Sequence, residues 1–375
     1  MRLLSGRRPA VLFVANGMTP TLEFSFLRPL RALSQAGAID LRLLFEREVI
    51  TRIGEGSLAG HVGRDVDLVV FSRYNGPRAD DLLAIARAAG AATIYQLDDD
   101  LLDVPPSIGA EKHAFHSHPE RRASVVALME GCDVVHFSNE RLAAKMAAKA
   151  RLRRADVAGV INGLSPMRLP ARGPTRRIGY MGFDHAADFA IAAPAVEKIL
   201  RRHPQVSFEI FGPIPLPWSF SRFGERVRAQ GPVRGYDAFL KRLCDLDWDV
   251  GICPLVTDAF NLVKTDVKWI EYSAAGIATV ASRSTVYDAC CADGCGFLPS
   301  GESEWFEALD RLVRQPGERY AAVMRAQRRL VERYSPQRLT RQVLDLFALA
   351  APGRFARLQR KAPPLPQPAI ASSAR

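Results

Sequence analysis

The chain has 375 residues, of which 48% are hydrophobic and 24% charged, a composition of soluble globular proteins with room for two domains and ample core. Of its net charge of +11, eight charges lie at the ends, in Arg2, Arg7, Arg8, Arg354, Arg357, Arg360, Lys361 and Arg375, with no acidic residue in 1–8 or 351–375. The near-neutral body excludes a basic nucleic-acid groove, and no apolar run reaches the roughly 18 residues of a membrane span.

The N-terminus carries arginines but enters a polar loop at Asn16 after a short apolar run, so it does not read as a signal peptide. Six cysteines, scattered or crowded at Cys290, Cys291 and Cys295, lack the spacing of a disulfide framework or a zinc site. They predict a reduced, cytoplasmic protein without a bound metal. The basic ends read as solvated tails that leave open a loose peripheral contact with an anionic membrane surface.

In chain order, the apolar run Ala10 to Ala15 ends in Asn16-Gly17-Met18-Thr19-Pro20, the strand-then-loop opening of a nucleotide-binding α/β domain, with Gly17 a candidate ligand-side glycine. A helix with Phe26, Leu30 and Leu33 on one side follows. Strands are predicted at Asp40 to Phe45, Leu68 to Ser72, Ala92 to Leu97, Val134 to Ser138 and Val157 to Ile161, separated in the later part by helical stretches. This alternation predicts a doubly wound parallel sheet. Asp98-Asp99-Asp100 follows the strand ending at Leu97, where ligands bind in such sheets; Asp98 and Asp99 are candidates for acceptor-side or base chemistry, against the alternative of helix caps and solvated turns. His113, His116 and His118 lie in what reads as a Pro-rich polar loop without metal spacing.

Ser165 to Thr175, with three prolines, reads as an interdomain linker, after which the pattern restarts. Arg177 to Met181 is a strand; Gly182 permits close backbone approach, and His185 and Asp188 begin the next helix. Val206 to Phe211 is the next strand, followed by a long irregular insertion around Pro215, Pro217 and Trp218. The segment from Asp249 to Ser282 then reads as strand, loop, helix, strand. On its helix of roughly a dozen residues, Val263, Val267, Ile270 and Ala274 form an apolar stripe and Lys264, Lys268 and Glu271 a charged one. Asn261 and Lys264 fall at the start, where the helix dipole favours anions; Lys264 and Lys268 add positive charge, and Glu271 is placed to accept hydrogen bonds from ribose hydroxyls. The alternative is a solvated face with an i, i+3 ion pair. Gly296 to Pro299 is a last strand, and Leu339 to Leu349 a final amphipathic helix.

Phe260-Asn261, Lys264, Lys268, Glu271-Tyr272-Ser273-Ala274-Ala275-Gly276 and the strand from Ile277 resemble the donor-binding motif of GT-B glycosyltransferases of the family-4, or group-1, type. Val263 stands where that family has its first glutamate, and Asp98 where it usually has a histidine. The resemblance implies two Rossmann-like domains facing a cleft: a basic tail at 1–8, an acceptor domain at 9–164, a linker at 165–175, a nucleotide-sugar donor domain at 176–335, a helix at 336–350 crossing back to the first domain, and a disordered tail at 351–375. It also implies transfer from a nucleotide-sugar to a saccharide or lipid-linked acceptor, with retention and without metal or further cofactor, in surface polysaccharide or glycoconjugate synthesis. Lys264, Asp98, Asp99 and His185 are the implied catalytic candidates, and Gly17, Gly182, Asn261, Lys264, Lys268 and Glu271 the binding ones. A non-catalytic sugar-nucleotide-binding protein and a nucleotide-sugar epimerase are the competing expectations.

Overall fold

A computed structural model describes residues 7–182, 186–360 and 364. The described residues divide into two compact units, one of 7–161 with 337–360 and 364, and one lying within 162–336. No described helix is long and apolar enough to cross a membrane.

The first unit is a six-stranded sheet of β1 (Ala10–Ala15), β2 (Asp40–Phe45), β3 (Leu68–Ser72), β4 (Ala92–Leu97), β5 (Val134–Phe137) and β6 (Ala155–Val157), in the order β2-β1-β3-β4-β5-β6. Every pair is parallel, with Phe13 opposite both Leu43 and Val70. All six residues of β1 and all five of β3 are buried, as expected of central strands covered on both faces. The expected last strand, Val157 to Ile161, is instead Ala155–Val157, earlier and shorter, at the half-exposed sheet edge.

Helix Pro336–Ala350 returns to this unit. The Phe347 ring lies 6.4 Å from both Phe13 and Phe26 and 5.4 Å from Phe355, and the Gln342 side chain accepts from Gly159 N and Val160 N at 2.7 and 2.9 Å. Phe355 and Leu358, buried on helix Pro352–Gln359, correct the expectation of a tail disordered from residue 351. The basic ends are not wholly solvated either. Arg7 and Arg354 both pair with Asp67, at 3.0 and 2.6 Å, and Asp67 also accepts from Ala10 N.

The second unit is a five-stranded parallel sheet of β7 (Arg177–Met181), β8 (Ser207–Phe211), β9 (Val227–Gln230), β10 (Val250–Cys253) and β11 (Ala278–Ala281), in the order β11-β10-β7-β8-β9. Strand β9 follows the 3-10 segment Trp218–Arg226 where only an irregular insertion was expected. The strand expected at Gly296 to Pro299 reduces to one bridge, Val280 to Phe297. Two strand glycines make room for rings: a Cβ on Gly179 would lie 1.9 Å from Trp248, and one on Gly251 2.5 Å from Tyr272. Tyr272, seated there, accepts from Met181 N and donates to Ile252 O, tying its helix to the ends of β7 and β10.

Gly179→Ala is therefore expected to overpack the sheet and lose about 3 kcal/mol in chemical denaturation. Gly173→Ala, where a Cβ meets nothing within 4 Å, is expected to change stability by no more than about 0.5 kcal/mol.

Candidate functional site

Because the strands are parallel and joined by helices, the loops that follow them gather at one edge of each sheet. In the second unit the loop after β10 is closely fixed. Leu255 N donates to Ser282 Oγ at 2.9 Å, Val256 N to Asp188 at 2.8 Å, and Phe260 N and Asn261 N both to Asp258 Oδ1. Asn261 is 4% exposed, and its Oδ1 has no hydrogen-bond partner among the described residues. The helix differs from its expectation. Asn261–Val263 is a 3-10 turn, Lys264 is extended (φ −67°, ψ −171°), and the α-helix is only Val267–Ala274. Lys264 is therefore off the helix, its ammonium 5.0 Å from the centre of the Phe260 ring.

Lys268 and Glu271 do share the helix, but not as a solvated stripe. Trp269 through Ala274 are all buried, and Glu271 is only 5% exposed. Burial pushes the Glu271 carboxyl up from 4.5 to about 8, against the opposing pull of the Tyr236 hydroxyl at 2.9 Å and of Lys268. Burial likewise lowers the Lys268 ammonium, which Cys253, Asp188 and Glu271 partly offset, and Lys268 lies 5.0 Å from the Tyr180 ring. Asp266, at the helix N-cap, makes no capping bond and instead accepts from Tyr334 Oη at 2.7 Å, which leaves the first helical N–H groups without a side-chain cap. The arrangement combines a lysine, uncapped N–H groups and a carboxyl that can accept hydroxyl donors.

Gly182 N donates to Phe211 O at 3.2 Å, and a Cβ on Gly212 (φ +131°) would lie 2.0 Å from Gly182 O, so the loops after β7 and β8 meet backbone to backbone. Asp188 is 3% exposed and spent in part on Val256 N. His185 lies outside the described residues.

In the first unit the acidic triplet divides its work. Asp98, 7% exposed, uses both oxygens: Arg73 at 2.6 Å on one and the Thr21 hydroxyl at 2.6 Å on the other. Burial raises its carboxyl, and Arg73 and Thr21 oppose that shift. Asp99 shares the same guanidinium at 2.9 Å but is a quarter exposed. Asp100, fully buried, takes Lys145 and Lys149 at 2.6 and 3.2 Å and accepts from Leu102 N and Asp103 N. Among the described residues no group of three His, Cys, Asp or Glu side chains is placed to hold a metal.

Arg73 has a left-handed backbone (φ +52°), the kind of local strain that persists where surrounding contacts dictate it. Its neighbour Asn75 donates to His116 Nδ1 at 3.0 Å and joins Asn16 and Arg121. Partial burial and Arg73 lower the imidazole of the half-buried His116 to about 4, so it is neutral at pH 7. His116 and His113 belong to a helix, Ala110–Ser117, where a loop was expected, and none of its residues is buried. Gly17 has open space around it, so no close approach there requires glycine. Sequence reasoning missed Thr21, Arg73, Asn75 and Tyr236, since none lies in a recognisable pattern.

Residues 193–345 match the family model described as "Glycosyl transferase-like", a span that includes Tyr236, Lys264, Lys268 and Glu271. Comparison with curated proteins returns no match. Among solved structures, the chain is similar to Anabaena HepE in complex with UDP and glucose (14% identity, 90% of this chain and 99% of that one, TM-score 0.63). It is similarly related to sucrose-phosphate synthase from Thermosynechococcus elongatus (13%, 91% and 99%, 0.62) and to a glycosyltransferase from Rickettsia africae (11%, 92% and 98%, 0.63). The chain has the GT-B fold. At these identities the likeness is one of fold. Both Rossmann-like halves of the GT-B chain and its returning C-terminal helix are present.

Arg73→Ala would leave Asp98 buried without its cation and is expected to lose about 3–5 kcal/mol in chemical denaturation. Asp99→Asn, at a partly exposed carboxylate, is expected to cost less than about 1 kcal/mol.

Proposed function

We propose that the protein is a glycosyltransferase of the family-4 type that binds a nucleotide-sugar, best represented by a uridine diphosphate sugar, in its second unit, and a saccharide or lipid-linked acceptor in its first. The observation that carries this is the buried Glu271, held by Tyr236 next to Lys268, inside the segment that matches the glycosyltransferase family model. The bound UDP, glucose and UDP-glucose named for the HepE structures support the donor class.

In this reading Glu271 accepts hydrogen bonds from ribose hydroxyls, while Lys268, Lys264 and the first N–H groups of the helix stabilise charge on the diphosphate. The bond between the anomeric carbon and the β-phosphate oxygen breaks, its electron pair staying on the diphosphate. The acceptor hydroxyl oxygen bonds to that carbon on the same face and gives its proton to the departing phosphate. Retention then needs no protein base, which suits an Asp98 whose two oxygens are already engaged. The two lysines give the diphosphate a counter-charge within the protein, so we place the reaction among the metal-independent ones. Synthesis of a surface polysaccharide or glycoconjugate, with peripheral contact at a membrane surface, belongs to the same reading. A protein that binds the nucleotide-sugar without transferring it is the second reading, favoured by Val263 and Asp98 at two positions where the family has a glutamate and a histidine.

Thermal shift with UDP, GDP and ADP and their sugars is expected to show stabilisation by one nucleotide family, about 2.7 kcal/mol at a hundredfold excess over Kd. Lys268→Ala should weaken that binding at least about tenfold. A folded protein that none of these ligands stabilises would exclude both readings; stabilisation without transfer to any acceptor of a saccharide and lipid-linked panel would leave the second.

Glu271 also sets a pH dependence. Its folded value, about 8, lies above its ordinary 4.5, so its contribution to folding stability falls as pH rises through that interval. Ribose donors favour the ionised form, so binding expels a proton, and affinity should rise from pH 7 to about 8 and then level, with deprotonation of Lys268 opposing it at higher pH. Isothermal titration across this range should show the rise in wild type and its absence in Glu271→Gln.

A further inference from the structure

Tyr236 opens the helix Tyr236–Asp245 and is 5% exposed. Its ring stacks on Phe239 at 5.9 Å, and Phe239 stacks on Phe211, the last residue of β8, at 5.4 Å. This aromatic ladder fixes the phenol from below. The hydroxyl has one hydrogen, and it goes to Glu271 Oε1 at 2.9 Å. The Tyr236 hydroxyl oxygen in turn accepts from Asn162 Nδ2. Since the phenol's only proton is committed to the carboxyl, Asn162 must offer its amino group. Its Oδ1 is then turned elsewhere, fully buried and without a partner among the described residues.

The consequence falls on Glu271. A glutamate side chain has three rotatable bonds, and a hydrogen bond to one oxygen removes most of that freedom. The other oxygen, Oε2, makes no hydrogen bond among the described residues and, once the carboxyl is ionised, is the one left to accept from a ligand. A carboxyl fixed at one oxygen and open at the other suits a pair of adjacent hydroxyls, because it meets them without first having to be ordered. The same orientation determines discrimination: a site built to accept from hydroxyls rejects an analogue that lacks them, since its buried acceptor is then left unpaired.

We propose that Tyr236 and Asn162 are positioning residues of the nucleotide site, which together aim the free oxygen of Glu271 at the ribose diol and so set the preference for ribonucleotides over nucleotides without that diol. This rests on the donor reading of the second unit. Neither residue need touch the ligand: Asn162 orients the Tyr236 hydroxyl, and Tyr236 orients Glu271. The arrangement is a chain, so removing its middle member should leave little for the outer one to do.

The experiment is calorimetric titration of the full chain with UDP and with 2′,3′-dideoxy-UDP, for wild type, Tyr236→Phe, Asn162→Ala, the double variant and Glu271→Gln, each first shown to be folded by circular dichroism and thermal melting. Tyr236→Phe keeps the stacking ring and removes only the hydroxyl. It is expected to reduce the preference for UDP over its dideoxy analogue about tenfold, with affinity for the analogue unchanged. Asn162→Ala should act in the same direction by a smaller factor, and the double variant should match Tyr236→Phe. General loss of packing would weaken both ligands alike and would overturn the positioning role. Full preference retained in Tyr236→Phe, with preference lost in Glu271→Gln, would overturn the inference while the donor reading stood. If wild type shows no preference, or binds neither ligand, the donor role of Glu271 fails and this inference fails with it.

Discussion

Parallel pairing throughout both sheets is the constraint on which the rest depends. A parallel strand cannot be followed by a tight hairpin; the chain must cross back over a face of the sheet, and the loops that follow the strands then collect at one edge. That is why the segments after β7, β8 and β10, distant in sequence, supply Gly182, Gly212 and Lys264 to a single edge. It is also why the central strands can be apolar on both sides, leaving polar residues to accumulate at the edge where the strands end.

At those edges the protein holds charge out of water, and it does so by two different means. Asp98 and Asp100 are matched by dedicated cations, and at the opposite edge of the second sheet, where β7 and β10 begin, Arg319, 1% exposed, likewise pairs with Asp249 and with backbone carbonyls. Such groups are satisfied before any ligand arrives, and breaking them is expensive. Lys268 and Glu271 are not matched in this way. They influence each other electrostatically while each keeps capacity unspent, and both are displaced from their ordinary protonation behaviour by burial. Saturated pairs suit a scaffold, whereas incompletely satisfied groups at a strand edge suit a ligand.

Strands buried on both faces were legible in the sequence. Ala10 to Ala15 and Leu68 to Ser72 read as uninterrupted apolar runs because nothing polar can be tolerated there. Strand β9 was not legible: Val227-Arg228-Ala229-Gln230 lies at the sheet edge, where solvent permits almost any side chain. The helix around Lys264 was misplaced because Val263 continues the apolar spacing, yet its burial comes from tertiary packing on a 3-10 turn. Glu271 was found as a residue but not as an environment. Its hydroxyl partner lies 35 residues away, and that partner's amide donor a further 74, distances over which local pattern carries no information.

The return of residues 337–360 to the first unit bears on how the protein is made. Phe13 and Phe26 precede the whole second unit in the chain, but Phe347, which packs against both, is translated only after that unit. At typical elongation rates of about 5–20 residues per second, the first unit waits roughly 10–35 seconds after Ile161 before its closing helix exists. The second unit, contiguous from Asn162 to Pro336, has every strand of its sheet in hand before then. The order of completion is thus the reverse of the order of synthesis: the unit translated second finishes first, and the first unit keeps an uncovered aromatic surface until Phe347 has been made.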